Sequence, residues 1–359
     1  MKFVFWQNIL SPHQSDFLSE LANVHDVTLV VMSRIDSNRI GQNWHATYNE
    51  NVTIIVSPSL TTICRIINVK DNDILHCFSG FLAYPKLSFA LFLSCLYRNN
   101  NSVISEAVPL IGFRNKCKLF VRKNLALLCR QRILQVFAIG VNGIKYFQAL
   151  GFSQDKLSEF GYFVSPPILN HGVKKPSFIV FVGRLMKIKG INPILEMCKN
   201  IRHENIKVKI IGSGPLSPEI KTFVKKHKLE FVELISDIPR VEVMEIIGKA
   251  GCLMLPNTGD EGWGVVVNEA LLQGTPVVCS SKTGSCVAVT KDVQGVVLNE
   301  VTPQKLIEAI NVCLTLDSNN IKAIANRQLL PKVGVDYFTR QLTDKRSDCA
   351  PWHTKDIQE

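Results

Sequence analysis

The sequence predicts an α/β protein made of two doubly wound domains, and three observations support that prediction. Short apolar runs alternate with amphipathic segments along the chain, which is typical of parallel βαβ units. The length of 359 residues suits two domains of roughly 150–200 residues each. A stretch rich in proline and polar residues, 164–176, interrupts the alternation near the middle of the chain and indicates a hinge.

The composition favours a cytoplasmic protein with an acidic partner. The net charge of +11 is compatible with nucleic acid, anionic lipid or a phosphorylated substrate. The 11 cysteines show no metal-binding or redox spacing, so we expect them to be reduced. The apolar run at 1–6 is too short for a signal peptide. The longest apolar stretch, 87–97, falls well short of the roughly 20 residues of a membrane span, so we expect no transmembrane helix.

The first half begins with a strand–loop–helix–strand order that predicts a parallel βαβ unit. The strands are 3–6 and 27–32, the loop is 8–15 and the helix is 16–24. The loop lacks the Gly-x-Gly-x-x-Gly pattern, so a dinucleotide fingerprint is absent. Further strands are predicted at 53–56, 74–78, 102–105 and 136–139, and further helices at 86–97 and 143–150.

The predicted helix Arg114 to Arg132 is rich in basic residues and contains no acidic one. Its apolar residues Cys117, Val121, Leu125 and Leu128 fall on one face at helical spacing. One interpretation is docking on an anionic membrane surface. The other is a surface helix with a solvated basic face, and the sequence does not decide between them.

The second half repeats the alternation and predicts a complete doubly wound domain. Its first strand, 178–182, ends at Gly183-Arg184, and a later strand, 208–211, ends at a turn, 212–215. The turn is either a tight strand–helix connection or a close backbone approach to a ligand. The predicted organisation is a first domain at 1–165, a second at 177–302, helices at 303–342 that can cross back to the first domain, and a polar, frayed tail at 343–359.

Residues 260–271 form the motif around which the second half is organised. Glu261 and Glu269 lie eight positions apart on a predicted strand-to-helix turn, where ligands bind in open α/β sheets. The backbone N–H groups of Gly264, Val265 and Val266 open the helix and favour an anion. Carboxylates accept hydrogen bonds from vicinal diols. The predicted ligand is therefore a nucleotide sugar.

Arg184 and Lys189 add positive charge at the same edge of the predicted sheet. An arginine fork and a lysine point charge can neutralise the roughly two negative charges of a diphosphate leaving group. Together with the dipole of the helix after Gly264, they can act electrostatically as a metal ion does elsewhere. We therefore predict no metal ion and no cofactor.

Three stretches of the second half carry a family resemblance. They are Phe181-Val182-Gly183-Arg184-Leu185 with Lys189-Gly190, Ile210-Ile211-Gly212-Ser213-Gly214-Pro215, and Glu261-x7-Glu269-Ala270 with Gly274-Thr275-Pro276-Val277-Val278. Together they look like the donor half of glycosyltransferase family 4, whose members are retaining enzymes of GT-B architecture. The resemblance covers about residues 177–300. It extends more weakly to 5–14 and 104–106, which look like a bacterial polysaccharide-synthesis branch of that family.

The resemblance implies two Rossmann-like domains that face each other across a cleft, and it implies roles for the residues. Arg184 and Lys189 hold the donor diphosphate, Glu269 binds the ribose hydroxyls, and Glu261 contacts the transferred sugar. The implied catalytic groups are Glu261, Glu106, Arg184 and Lys189. The implied donor-binding residues are Gly183, Arg184, Lys189, Gly212, Gly214, Glu261, Gly264, Val265, Val266 and Glu269.

The first domain departs from the family pattern at two places. Many members carry a Gly-Gly loop after the first strand, where this chain has Ser11-Pro12-His13-Gln14, so His13 or Gln14 is expected to take over that role. Many members also have a histidine where this chain has Glu106, which is expected either near the reacting centre or as an acid at a helix start. His76 is expected to line the acceptor cleft or to be a structural histidine.

These observations predict a retaining, metal-independent glycosyltransferase of the hexosyltransferase type. It would move a sugar from a nucleotide-sugar donor to a hydroxyl of a glycan acceptor, lipid-linked, in the synthesis of O-antigen, capsule or exopolysaccharide. The predicted location is cytoplasmic and peripheral on the inner face of the membrane, and no nucleic-acid partner is expected. The alternatives are a sugar-nucleotide epimerase or hydrolase of the same architecture and a non-catalytic nucleotide-sugar-binding subunit.

Overall fold

The computed structural model describes residues 1–33, 46–69, 71–108, 113–166, 178–201, 206–343 and 349–353. The chain forms two compact units. The first comprises Met1–Val164 and Pro331–Thr354, and the second contains Ser165–Leu330. Each unit is built on one parallel sheet, so the predicted α/β class with two doubly wound domains is confirmed.

The first unit has a seven-stranded sheet in the order β3-β2-β1-β4-β5-β6-β7. The order reverses between β1 and β4, so the loops after these two strands diverge and leave room at their carboxyl ends. The strands are β1 Lys2–Gln7, β2 Asp26–Val31, β3 Val52–Val56, β4 Ile74–Ser79, β5 Asn100–Glu106, β6 Ile133–Ile139 and β7 Leu157–Phe160.

Four helices of the first unit pack on one face of this sheet, around Trp6, Phe78, Phe81 and Phe147. The fifth crossover helix, α1, lies on the other face because the chain moves in the opposite direction from β1 to β2. The helices are α1 Pro12–Leu21, α2 Leu60–Ile67, α3 Pro85–Leu96, α4 Phe113–Cys129 and α5 Gly143–Ala149. None of the helices that the structure describes combines the length and the hydropathy of a membrane span.

The face that carries α1 is completed by the C-terminal helix Pro331–Thr343, which returns to the first unit. Its Phe338 is fully buried, with ring centroids at 4.5 Å from Phe137, 5.5 Å from Phe17 and 5.6 Å from Phe3. A single helix cannot cover the apolar surface that this sheet presents, and the returning helix buries the remainder.

The second unit has a six-stranded parallel sheet in the order β10-β9-β8-β11-β12-β13. The order reverses between β8 and β11, which places a second switch point there. The strands are β8 Phe178–Val182, β9 Lys207–Ile211, β10 Val232–Ile235, β11 Cys252–Leu255, β12 Val277–Ser280 and β13 Gly295–Leu298. The helices are α6 Ile191–Asn200, α7 Ser217–Lys226, α8 Arg240–Lys249, α9 Val266–Leu271, α10 Pro303–Cys313 and α11 Ser318–Leu329, and the returning helix Pro331–Thr343 is α12.

Three expectations about local structure were wrong. Helix α1 begins at Pro12, where a fixed φ favours the first helical position, so His13 and Gln14 are helical rather than in a loop. The basic helix α4 ends at Cys129, and a 3₁₀ turn follows it. The tail is not frayed at 349–353, because Trp352 is buried, with its ring centroid 6.4 Å from that of Phe163. The chain returns to the first unit at Pro331, after α10 and α11.

We predict that Phe338→Ala destabilises the first unit by about 3–5 kcal/mol, because it leaves a cavity among rings that cannot collapse fully. Urea unfolding followed by far-ultraviolet circular dichroism measures the loss. Phe120→Ala is the control, since that ring is 70% exposed, and it should change the free energy of unfolding by less than about 0.5 kcal/mol. Equal effects of the two substitutions would contradict the assignment of Phe338 to the core.

Candidate active site

Two loops at the switch point of the second sheet are held together by a close backbone approach. Gly190, in the loop after β8, has φ +75°, and a Cβ atom there would lie 2.0 Å from the carbonyl oxygen of Pro256 in the loop after β11. The N–H groups of Thr258 and Gly259 donate to the carbonyl of Ile188 at 2.8 and 3.2 Å. A side chain at position 190 would separate the two loops, so the glycine sets their distance.

This contact brings Lys189 and Glu261 together in an ion pair between Nζ and Oε2. The two side chains are only 15% and 22% exposed, so water screens their attraction weakly. The backbone of Glu261 is fixed from the other side, where its N–H donates to the carbonyl of Lys282 at 2.9 Å. Two residues predicted to serve one ligand are therefore neighbours at the switch point.

Glu269 lies on α9 and forms an ion pair that the sequence did not indicate. Nη2 of Arg240 donates to Oε1 of Glu269 at 2.6 Å. The side chain of Glu269 is 9% exposed and that of Arg240 is 54% exposed. Arg240 is the first residue of α8, which packs against α9. Only the strand order, which sets the two helices side by side, could have indicated this pair.

Arg184 follows β8 and is exposed, and it forms no ion pair with any residue that the structure describes. Its position is fixed through the neighbouring backbone. The N–H of Leu185 donates to the carbonyl of Ser213 at 3.0 Å, and a Cβ at Gly212 would lie 2.1 Å from the carbonyl oxygen of Gly183. The turn at 212–215 therefore makes a close backbone approach to the loop that carries Arg184.

The segment between the two glutamates leads into α9, which begins at Val266 directly after Val265. Gly264, one residue earlier, has φ +89°. Trp263 is 1% exposed, and its Nε1 donates to Oδ1 of buried Asn268 at 2.8 Å. The indole therefore packs inside the unit and fixes the turn between Glu261 and Glu269.

In the first unit, Glu106 lies at the end of β5 and accepts a hydrogen bond from the phenol of Tyr162 at 2.7 Å. The ring of Tyr162 also lies 5.4 Å from that of His13, centroid to centroid. Two residues predicted to face the acceptor are thus linked by a tyrosine that sequence reasoning missed. Gln14 contacts Gln7, the last residue of β1, through a hydrogen bond between their amide groups.

His76 is buried, with 1% of its surface exposed, and its Nδ1 accepts a hydrogen bond from Nε1 of Trp6 at 3.1 Å. Burial lowers the pKa of His76 from 6.5 to about 4. Both observations favour the structural alternative for this histidine, since a buried ring has no surface to offer an acceptor. Among the described residues, no group of three or more His, Cys, Asp or Glu side chains could hold a metal ion.

The sequence of the second unit matches a known family. Residues 170–328 match the family model described as glycosyl transferases group 1. This segment is a group 1 glycosyltransferase domain. Arg184, Lys189, Glu261 and Glu269 all lie inside the matched residues of the glycosyltransferase domain.

A curated relative supports the same assignment over part of the chain. The amylovoran biosynthesis glycosyltransferase AmsK of Erwinia amylovora is 28% identical over 170 residues, which are 44% of this chain and 42% of that protein. The chain spans about two fifths of the length of the curated relatives it matches, and these matches cover similar shares of the chain itself.

Solved structures resemble the whole chain. Anabaena Alr3699/HepE in complex with UDP gives a TM-score of 0.72 at 15% identity, covering 96% of this chain and 100% of that one. The apo form of the lipopolysaccharide outer core galactosyltransferase WaaB gives 0.70 at 14% identity, with 96% and 100% covered. These identities show the fold alone, and the expected GT-B fold with two Rossmann-like domains is confirmed.

We predict that His76→Gln reduces the pH dependence of stability in weakly acidic solution. The pKa of His76 is about 4 when folded, so between pH 6.5 and 4 only the unfolded state takes up the proton. The free energy of unfolding should therefore fall as the pH falls through this window, by up to about 3 kcal/mol, and His76→Gln should remove that part. Urea titrations at several pH values measure the slope. Partly buried His227, replaced by Gln, is the control, and an unchanged slope for His76→Gln would contradict the prediction.

Proposed function

We propose that this chain is a retaining, metal-independent glycosyltransferase that moves a sugar from a nucleotide-sugar donor to a hydroxyl of a glycan acceptor. The observation that carries the proposal is the arrangement of Arg184, Lys189, Glu261 and Glu269, here called the donor site, at the carboxyl ends of β8 and β11. The retaining outcome and the independence from metal rest on the resemblance to family 4.

The donor site has the chemistry that a nucleotide sugar requires. The diphosphate brings about two negative charges, and Arg184 and Lys189 supply cations that can take them up as the leaving group departs. The carboxylates of Glu269 and Glu261 accept hydrogen bonds from the ribose and from the transferred sugar. HepE, whose fold this chain resembles, binds UDP, and this favours a nucleotide at the same switch point.

The acceptor side of the proposal lies in the first unit. Tyr162 contacts both His13 and Glu106, and its phenol fixes the carboxylate of Glu106. A fixed carboxylate can orient a sugar hydroxyl for attack, since positioning itself lowers the barrier. Gln14 would add an amide for a second hydroxyl. The name of AmsK, amylovoran biosynthesis glycosyltransferase, favours a cell-surface polysaccharide as the product.

We predict that Lys189→Ala weakens donor binding by about tenfold or more, because a charge-assisted hydrogen bond to the diphosphate is lost. The donor used is the nucleotide sugar that most raises the melting temperature of the protein in a screen. Isothermal titration with this donor measures the change in affinity. Lys187→Ala is the matched control, since this exposed lysine belongs to the same 3₁₀ turn. Equal affinities of the two variants would contradict the proposed role of Lys189.

The same screen, combined with an assay of sugar release, separates the other candidate functions. A protein that binds nucleotide sugars but releases no sugar with any acceptor would be a binding subunit. Release of the sugar at full rate without an acceptor would favour a hydrolase or epimerase. If no nucleotide sugar in the screen raises the melting temperature, the proposed donor class is contradicted.

The acceptor is proposed to be lipid-linked, because the first unit presents an apolar and basic surface on α4. Phe120 and Leu128 are each 70% exposed and Val121 is 55% exposed, beside the exposed Lys118 and Lys123. Apart from Ile188, Val241 and Val312, every large apolar side chain that is exposed among the described residues lies in the first unit. Exposed apolar groups among lysines suit an anionic lipid surface better than a solvated face. The enzyme would then work at the inner face of the cytoplasmic membrane.

We predict that Lys118→Glu with Lys123→Glu lowers binding to phosphatidylglycerol vesicles by about tenfold or more, because each lysine near such a surface contributes about 1 kcal/mol. Arg122 is left intact, since it donates to the phenol oxygen of Tyr146 at 3.0 Å. Co-sedimentation measures the bound fraction. Lys221→Glu with Lys225→Glu on α7 changes the net charge equally, and equal losses in both double variants would count against docking through α4.

A further inference from the structure

The ion pair between Arg240 and Glu269 suggests a role for a residue outside the donor site. Arg240 Nη2 lies 2.6 Å from Glu269 Oε1, a short contact of the kind that forms between ionised groups. Arg240 is the first residue of α8 and directly follows the loop after β10. It therefore lies at the carboxyl edge of the sheet, where the donor site also lies.

The ion pair matters for Glu269 because the side chain of Glu269 is buried. A carboxylate that is 9% exposed pays a large desolvation cost unless a cation or hydrogen-bond donor accompanies it. Nη2 of Arg240 donates to Oε1 of Glu269, and the planar guanidinium presents its N–H groups in a fixed geometry, so the contact orients the carboxylate.

We propose that Arg240 is a positioning residue for the donor: it holds the Glu269 carboxylate in an orientation in which the ribose hydroxyls can donate to it. The inference rests on the proposed function, since it needs a nucleoside diphosphate as ligand. The opposite role is a plug, in which Arg240 occupies the place of the ribose and must leave before the nucleotide binds.

The test compares ligands that differ only in the ribose hydroxyls. Isothermal titration of UDP, GDP and ADP identifies the diphosphate that binds the wild-type protein, and its 2′,3′-dideoxy form is then titrated alongside it. The variants are Arg240→Gln, which keeps a polar N–H donor on a shorter side chain without the charge, and Arg240→Lys, which keeps the charge. Lys249→Ala, at the other end of α8 and 60% exposed, is the control.

We expect Arg240→Gln to weaken the full nucleotide by about tenfold and Arg240→Lys to recover part of that loss. The dideoxy form should bind the wild type and Arg240→Gln with nearly equal affinity, because it lacks the groups that Glu269 would bind. Thermal melting checks that each variant is folded.

Three results would overturn the inference. Equal weakening of both ligands would mean that Arg240 acts only through general charge or structure. Unchanged or tighter binding of the full nucleotide by Arg240→Gln would favour the plug. If no nucleoside diphosphate binds the wild-type protein, the proposed function fails and the inference fails with it, whereas the first two results leave the proposed function standing.

Discussion

The reversal of strand order beside β8 is the constraint on which the donor site depends. Because β9 and β11 flank β8 on opposite sides, the loops after β8 and β11 leave in different directions and would drift apart without a link. The approach of Gly190 to the carbonyl of Pro256 provides that link. The ion pair between Lys189 and Glu261 follows from the distance that it sets.

Both carboxylates of the donor site have a cationic partner within the protein. Lys189 contacts Glu261, and Arg240 contacts Glu269, so both partly buried carboxylates are already compensated. A cation that is paired and partly desolvated needs less reorganisation to meet a phosphate than one surrounded by water. A diphosphate that reaches Lys189 would share or replace its carboxylate partner, and Glu261 would then be available to the sugar.

The sequence predicted what depends on local pattern and missed what depends on distant partners. The alternation of apolar runs predicted most strands of both sheets but missed β7 and β13. The spacing of Glu261 and Glu269 predicted a turn before a helix. The contacts of Arg240 and Tyr162 could not be predicted, because each joins elements whose adjacency is set by strand order or by packing over a sheet. The predicted loop at 8–15 wrongly included Pro12, although proline is favoured at the first position of a helix.

The return of α12 to the first unit has a consequence for the folding of the protein during its synthesis on the ribosome. Phe338 follows the whole second unit in the chain, yet it fills the aromatic core against Phe3, which precedes that unit. The first sheet cannot close that core until the whole glycosyltransferase domain has been synthesised. The first unit is therefore completed only after the second unit has been made. Until then the aromatic face of its sheet stays uncovered and accessible to chaperones.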